Sequence, residues 1–374
     1  MKKLSEDKMK RGDFIIIGLT ALLVIFGTVM IFSASYYAAI AEDGDPYSYL
    51  KKQLIWVAIG TVLMWFCSKI DYHLWGRIYI VAFLAGFILL GLIFSPLAIS
   101  ANGATRWLGV PGVPFTIMPG ECAKLAIIIF VAGYLDRNPK LVDDIWRGLV
   151  PTIGAAVLYF GLIMAQPNMS TGMTVCIIVG GMLLVAGIKG RYVAVLSGAA
   201  VAGGMALIFM DEGGYRYQRM MSFLDPFEDA LGSGWQVVQG LLALGTGGLT
   251  GLGLGNSIQK ILYLPEPMND FILAIIGEEL GFLGILVLMI VYLIFIWRGC
   301  HIAMNASDYL GMMLAAGVTI WVGVQVAINV AVVTSSMPPT GIILPFISYG
   351  GNALMLFMAA VGILLNVSKK SNRL

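Results

Sequence analysis

Long apolar runs, separated by short polar breaks, set the pattern of this chain. About twenty consecutive apolar residues make a helix that crosses a bilayer. Runs of this kind recur at 14–40, 53–68, 76–95, 119–135, 149–165, 172–188, 193–210, 269–297, 309–334 and 344–367. They predict an all-α, polytopic membrane protein of ten transmembrane helices, read as one integral membrane domain over 1–374. The second, fourth, fifth and sixth runs are short. Long loops follow helices 3 and 7, at about 96–118 and 211–268. No cleavable signal is predicted, because MKKLSEDKMKRGD leads into a span too long for an h-region.

Lys and Arg assign the sides. An even number of crossings puts both termini together, and the loops and termini of that face hold sixteen of the 23 Lys and Arg residues. The opposite face holds six (Lys51, Lys52, Arg106, Arg216, Arg219, Lys260), and Lys124 lies within a span. The positive-inside rule then makes both termini cytoplasmic and turns the two long loops outward. Trp56, Trp65, Trp75, Trp146 and Trp297 fall near span ends, as an interfacial belt requires. Long loops in compact domains usually carry function. The outer loop 211–268 is therefore the expected catalytic-face segment.

Composition agrees with this picture and narrows it. The chain is 59% hydrophobic and 12% charged, against about 25% charged in a soluble domain. A net charge of +2 predicts no nucleic-acid partner. His73 and His301 fall in short polar loops, and the four cysteines lack C-x-x-C spacing, so no metal site is readable. The cysteines read as small buried hydrophobes.

Charges placed against this apolar background are the candidate chemistry. In YLPEPMNDFILAIIGEELGFLG, residues 263–284, Asp270 stands where the outer loop becomes the eighth span. It reads either as a helix cap or as a general base at the membrane surface. Glu278 and Glu279 lie about 12 Å deeper at 1.5 Å per residue, and diverge by about 100°. One can face a polar cavity while the other binds a neighbouring helix, or both can be structural. Glu121 and Lys124 share a helix face at i, i+3, either as a self-neutralised pair or as the wall of a polar cavity. Arg106, Arg216 and Arg219 come from the two outer loops, where their forks suit diphosphate or carboxylate, or simply solvent and headgroups.

Two backbone features complete the set. GLLALGTGGLTGLGLGN is no nucleotide fingerprint, since no βαβ context and no Walker motif accompany it. It predicts a re-entrant or amphipathic outer segment. The last span opens with PPTGIILPFISYGGNALM, where Pro345, Gly350 and Gly351 weaken the helix start and Ser348 and Tyr349 offer hydroxyls. Close packing through small residues is the plain alternative.

Several of these stretches together resemble the SEDS family (shape, elongation, division and sporulation proteins) over nearly the whole chain. They are IFSAS, NGATRWLGV, PGECAKLA, QPNMSTG, YRYQRMMSFLDPFED, the run from GSGWQVVQG through GNSIQKILYLPEPMNDFILAIIGEELG, and LPFISYGG. GNSIQKILYLPEP looks more like the division and sporulation branch (FtsW, SpoVE) than the elongation branch (RodA). The resemblance implies ten helices with cytoplasmic ends and a peptidoglycan glycosyltransferase in the bacterial cytoplasmic membrane. Such an enzyme polymerises lipid II on the outer face and works beside a class B penicillin-binding protein, which cross-links the product. The family's catalytic acid falls on Asp270, and its intramembrane pair on Glu121 and Lys124. Asn269, Asn168, Gly120, Cys122 and Asn352 depart from the family pattern.

The implied mechanism is inverting. Asp270 deprotonates the 4-hydroxyl of an acceptor GlcNAc, that oxygen attacks C1 of the undecaprenyl-linked glycan donor, and undecaprenyl diphosphate leaves. Arg106, Arg216, Arg219 or a divalent cation would help the leaving group; no cofactor is required by the sequence. Glu121, Lys124, Glu278, Glu279, Ser348 and Tyr349 are the other expected substrate contacts. A transporter that flips lipid II, or a non-catalytic scaffold for the penicillin-binding protein, is the alternative reading. The span pattern carries no visible internal repeat, and the acids cluster outward rather than at the midplane.

Overall fold

Asp13 starts the first helix by accepting the backbone N–H groups of Ile15 and Ile16 on its carboxylate. The apolar helix α1 (Phe14–Asp43) then runs until Gly44 closes it in the left-handed conformation. This computed structural model describes residues 12–101, 104–109, 116–137, 139, 144–210 and 214–371. The helices that follow are α2 (Ser48–Lys69), α3 (His73–Arg77), α4 (Tyr79–Gly91), α5 (Pro119–Asp136), α6 (Val150–Met164) and α7 (Met169–Val185). Then come α8 (Gly190–Phe209), α9 (Tyr215–Leu224), α10 (Trp235–Gly247), α11 (Ile272–Met304), α12 (Tyr309–Val333) and α13 (Gly351–Lys369). Every predicted span falls on one of these helices. Among the described residues, six helical runs are long and apolar enough to cross a membrane: α1, α2, 145–164, α11, α12 and α13.

The core is built where helices pair: α2 against α13, α4 against α5, α11 against α12 and α10, and α7 against α6 and α12. Trp321, Tyr159, Tyr292 and Phe357 are buried at these seams. Many large apolar side chains stay exposed on the outside, Trp65, Trp297 and Leu293 among them. A lipid-facing surface reads this way, since apolar groups there need no protein cover.

The start of α1 and the end of α13 meet at one end of the bundle. Arg298 Nε lies 2.6 Å from Asp13 Oδ2, and the Asp13 N–H donates to Ser368 Oγ at 3.1 Å. His73 bridges Asp71 and Asp308 there, and Lys370 pairs with Asp71. The start of α1, the α2–α3 and α11–α12 links and the end of α13 thus share one polar face.

The structure corrects the sequence reading in three places. The loop after the third predicted span is not plain loop, because it holds the one departure from an all-helical fold among the described residues. A small antiparallel sheet forms there from β1 (Ala98–Ala101), β2 (Ala104–Gly109) and β3 (Thr116–Ile117) in the order β1-β2-β3. Ala98 faces Leu108, Leu108 faces Ile117, and a register irregularity lies between Ile99 and Ser100. The last span begins at Gly351 rather than 344. Pro345 has no N–H, and Ser348 Oγ takes the Leu344 N–H into a local turn at 2.8 Å. The eighth span begins at Ile272, not 269, and runs to Met304 with a break at Gly281.

Candidate functional site

The break at Gly281 explains both the glycine run and the paired glutamates. Gly281 has φ +68, and a Cβ on it would strike Leu249 O and the Gly251 nitrogen. Gly251, at φ +78, is equally intolerant, since its Cβ would meet Glu279 O. The helix ladder lost at the break is replaced across this contact. Leu252 and Gly253 N–H groups donate to Glu278 O and Glu279 O, both at 2.9 Å. Phe282 and Leu283 N–H groups donate to Gly248 O and Leu249 O at 2.9 and 3.1 Å. Helix α10 starts where Trp235 Nε1 donates to Tyr263 O and packs along α11, and the chain returns through 256–268. The glycine run thus closes a helix-and-return excursion against α11.

The two glutamates fasten that excursion. Glu278, fully buried, accepts Ser257 Oγ–H and the backbone N–H groups of Ile258 and Gln259. Glu279, also fully buried, lies 2.7 Å from Lys260 Nζ and accepts Ser33 Oγ–H at 2.6 Å, which ties the returning chain to α1. Of the two roles left open for these acids, the structure gives both of them internal partners. Lys260, read from sequence only as an outward charge, is itself buried.

Asp270 sits at the other end of this short helical stretch, in the turn before Ile272 and outside the helix ladder. It is half-buried as a residue. Burial of the carboxyl group pushes its pKa up to about 7; its own backbone N–H and the Arg219 guanidinium pull the other way, and Glu266 adds to the rise. From α12, the buried Asn329 amide donates to the backbone carbonyl of Asp270 at 2.8 Å. The Tyr349 N–H donates to Met268 O at 2.8 Å, linking the start of α13 to the same loop. The Tyr349 ring meets Tyr49 edge-on at 5.0 Å.

Beside this loop lies a cavity of about 280 Å³. Arg106 of β2 and Arg219 of α9 both line it, with Ser170 at the start of α7, the segment 337–342 and a wall of methionines (Met169, Met173, Met205, Met220, Met337). Arg106 reaches across to Pro167 O at 2.6 Å, and Arg219 Nη1 to Pro339 O at 3.0 Å. Two arginines from loops about a hundred residues apart in sequence are therefore brought to one cavity. Asp270 is not part of its lining; it connects to the wall through Asn329, whose amide also donates to Ile342 O at 2.8 Å.

The remaining expected residues divide. Lys124 Nζ lies 2.7 Å from Glu121 Oε1 and donates to Gln325 Oε1 at 3.1 Å. The pair is buried against α12, whose Trp321 indole N–H donates to the same Gln325 oxygen. Ser348 places its hydroxyl in the turn before α13 rather than in the cavity. Arg216 lies on α9, but its side chain lies outside the described residues. Asn168 caps α7 through the Thr171 N–H, and Asn352 Nδ2 donates to Thr116 O of the small sheet. Both departures from the family pattern thus have structural partners. Sequence reasoning missed Asn329 and Gln325, two amides four residues apart inside an apolar span. Polar side chains at that depth were the available signal. Among the described residues, no group of three His, Cys, Asp or Glu side chains is placed to hold a metal.

Comparisons with known proteins meet on one family. The family model FtsW/RodA/SpoVE, described as cell cycle protein, matches residues 13–373. Stage V sporulation protein E of Bacillus subtilis (strain 168) is 40% identical over 368 residues, covering 97% of this chain and 99% of its own length. A probable peptidoglycan glycosyltransferase FtsW of Geobacter sp. (strain M18) is 38% identical, with 96% and 97% covered. Among solved structures, a chain from work on the structural coordination of polymerization and crosslinking by a peptidoglycan synthase complex superposes with TM-score 0.78. Thermus thermophilus rod shape determining protein RodA superposes with TM-score 0.71. Each is 23% identical over 97% of this chain and nearly all of its own, so these two speak for the fold alone.

Proposed function

Because the chain belongs to the FtsW/RodA/SpoVE family of cell cycle proteins, we propose that it is a peptidoglycan glycosyltransferase that polymerises lipid II. The reading places ten transmembrane helices in the bacterial cytoplasmic membrane with both termini in the cytoplasm. Asp270, Arg106 and Arg219 then stand on the outer face. Relatives named stage V sporulation protein E and probable peptidoglycan glycosyltransferase FtsW favour work in the division or sporulation septum. The fold neighbour from a peptidoglycan synthase complex supports a class B penicillin-binding protein as partner.

One observation carries the chemistry. An acid whose carboxyl pKa burial pushes up to about 7 stands just before the start of α11, within the field of an arginine that lines a cavity. A general base works best with a pKa near the working pH, and such a base contributes about 10²–10⁴-fold. Asp270 takes the proton from the 4-hydroxyl of the acceptor sugar. The freed oxygen attacks C1 of the donor, the configuration inverts, and undecaprenyl diphosphate departs as an anion. Arg106 and Arg219 offset the charge that develops on the diphosphate. The cavity suits that headgroup portion, while the methionine wall suits the adjoining apolar chain. A divalent cation entering with the diphosphate would add to the same charge stabilisation. Glu121, Lys124, Glu278 and Glu279 support this site by fixing its helices.

The test is polymer formation in detergent, with purified protein, its crosslinking partner and labelled lipid II. Glycan strands from the wild type and none from Asp270→Asn support the enzyme. Without a bilayer to cross, a flippase or a scaffold would give no strands from either, and equal polymer from both proteins would end the role of Asp270.

A further inference from the structure

Asn329 is fully buried in the largely apolar helix α12. Its Nδ2 carries two hydrogens and both are used, one on Asp270 O and one on Ile342 O, each at 2.8 Å. Only the NH₂ side of an amide can serve two carbonyls, so the orientation of this side chain is fixed. The two acceptors differ in kind. One is the backbone of the acid that stands outside the ladder of α11. The other belongs to the segment 337–342, which walls the cavity and whose Pro339 carbonyl holds Arg219. Asp270 and Arg219 are therefore referred to the same short piece of chain, one through Asn329 and the other directly.

We propose that Asn329 is a positioning residue for Asp270: its amide ties the acid's backbone to the cavity-wall segment that holds Arg219, and so fixes the separation of base and cation. This rests on the reading of Asp270 as the base. A residue that only packed α12 would need no donor at this point. A leucine of similar volume would serve it as well.

The charged groups acting on the Asp270 carboxyl are Arg219, which favours its charged form, and Glu266, which opposes it. Freed from Asn329, the carboxyl drifts from Arg219 and the acidic limb of the pH–rate profile moves upward. The experiment compares full-length wild type, Asn329→Leu, Asn329→Ala, Asn329→Gln and Asp270→Asn with the crosslinking partner present, on purified lipid II across pH 5.5–8.5. Expected for Asn329→Leu is a kcat about ten- to a hundredfold lower, the scale of a reacting group misplaced by about an ångström. KM should hold within about threefold, because substrate binding is not what is removed. The acidic limb should shift upward, with partial recovery of both kcat and limb in Asn329→Gln, which restores the donors. A wild-type kcat and limb in Asn329→Leu overturns the proposal. So does a lowered kcat with an unmoved limb and no recovery by Gln, which marks a merely structural residue. Asn329→Ala reports the same quantities if the leucine variant does not fold. Full activity in Asp270→Asn would fell the functional reading itself. An inactive Asp270→Asn beside normal Asn329 variants would fell this inference alone.

Discussion

Asp270 and Glu279 flank the same short stretch of helix ahead of Gly281, and both are acids in apolar surroundings. Their contacts are of opposite kinds. Glu279 has Lys260 Nζ at 2.7 Å and Ser33 Oγ at 2.6 Å on one oxygen, so its charge is neutralised inside the fold. Asp270 is held by its backbone, through Asn329, and burial pushes its carboxyl pKa up to about 7 against the pull of Arg219. The Glu121–Lys124 pair belongs with Glu279: buried, matched at 2.7 Å and tied to α12. A membrane protein of this kind thus carries two populations of buried acids. Those matched at contact distance hold helices together, while the one fixed by its backbone carries a carboxyl whose pKa burial raises to about 7.

The sharpest way to break that distinction is to remove each charge in turn. Asp270→Asn should lower glycan polymerisation by about 10²–10⁴-fold while the melting temperature in detergent stays at or above that of the wild type. Strand length and yield on labelled lipid II are the measurement. Lys260→Met should do the reverse. It leaves Glu279 charged and unmatched in the interior, at a cost of about 3–5 kcal/mol, so the thermal midpoint and the yield of folded protein should fall. Activity per folded molecule should stay close to normal. Adding Glu279→Leu to Lys260→Met should restore most of the stability, because an apolar pair of similar volume is tolerated there. If Lys260→Met instead stays stable and loses kcat, the staple is catalytic machinery and the comparison fails.

The sequence made the first half of this comparison easy and the second half hard. Spans were legible because a bilayer demands a run of fixed length, and every predicted run holds a helix. Asp270, Arg106 and Arg219 were legible because charge is conspicuous on an apolar background. The small sheet was not, since β2 is six residues and β3 only two, too short to show alternation. The start of α13 was misplaced because the turn at 344–350 is as apolar as the helix after it; only the Ser348 hydroxyl bond separates them. Asn329 was invisible for a different reason. Its importance lies in a contact with a residue 59 positions away, and no local pattern encodes that distance. Lys260 was counted for sidedness, and its partner Glu279 lies 19 residues further on.

A smaller effect sharpens the account of Asp270's environment. Arg219 holds the carboxyl toward its charged form, against the burial that raises it. Arg219→Gln should therefore move the acidic limb of kcat to higher pH, by ~0.5–1 unit on the scale of a nearby opposite charge that is partly screened. Polymerisation at pH 6.5 should fall several-fold more than at pH 8. A limb that stays in place would mean that the guanidinium serves the substrate only. Arg106→Gln, which shares the cavity but is not among the charges acting on Asp270, should raise KM and leave the limb alone.

The smallest expected effect is thermodynamic. The Asp270 carboxyl is raised from 3.8 to about 7 in the folded protein, so between those values the native state binds a proton that the unfolded chain releases. The stability linked to that proton is fully present below about pH 4 and is lost as pH rises through 7. Asp270→Asn cannot ionise and loses nothing over that window. Its thermal midpoint should accordingly exceed that of the wild type at pH 8, and the gap should narrow steadily toward pH 4. Partial exposure of the residue keeps the gap to a few degrees. Glu279→Gln removes a charge matched by Lys260 at 2.7 Å and should be less stable than wild type at pH 8. The two melting series, run in one detergent, place the acids on opposite sides of the wild-type curve; should both variants fall on the same side, the division between structural and proton-exchanging acids would have no thermodynamic basis.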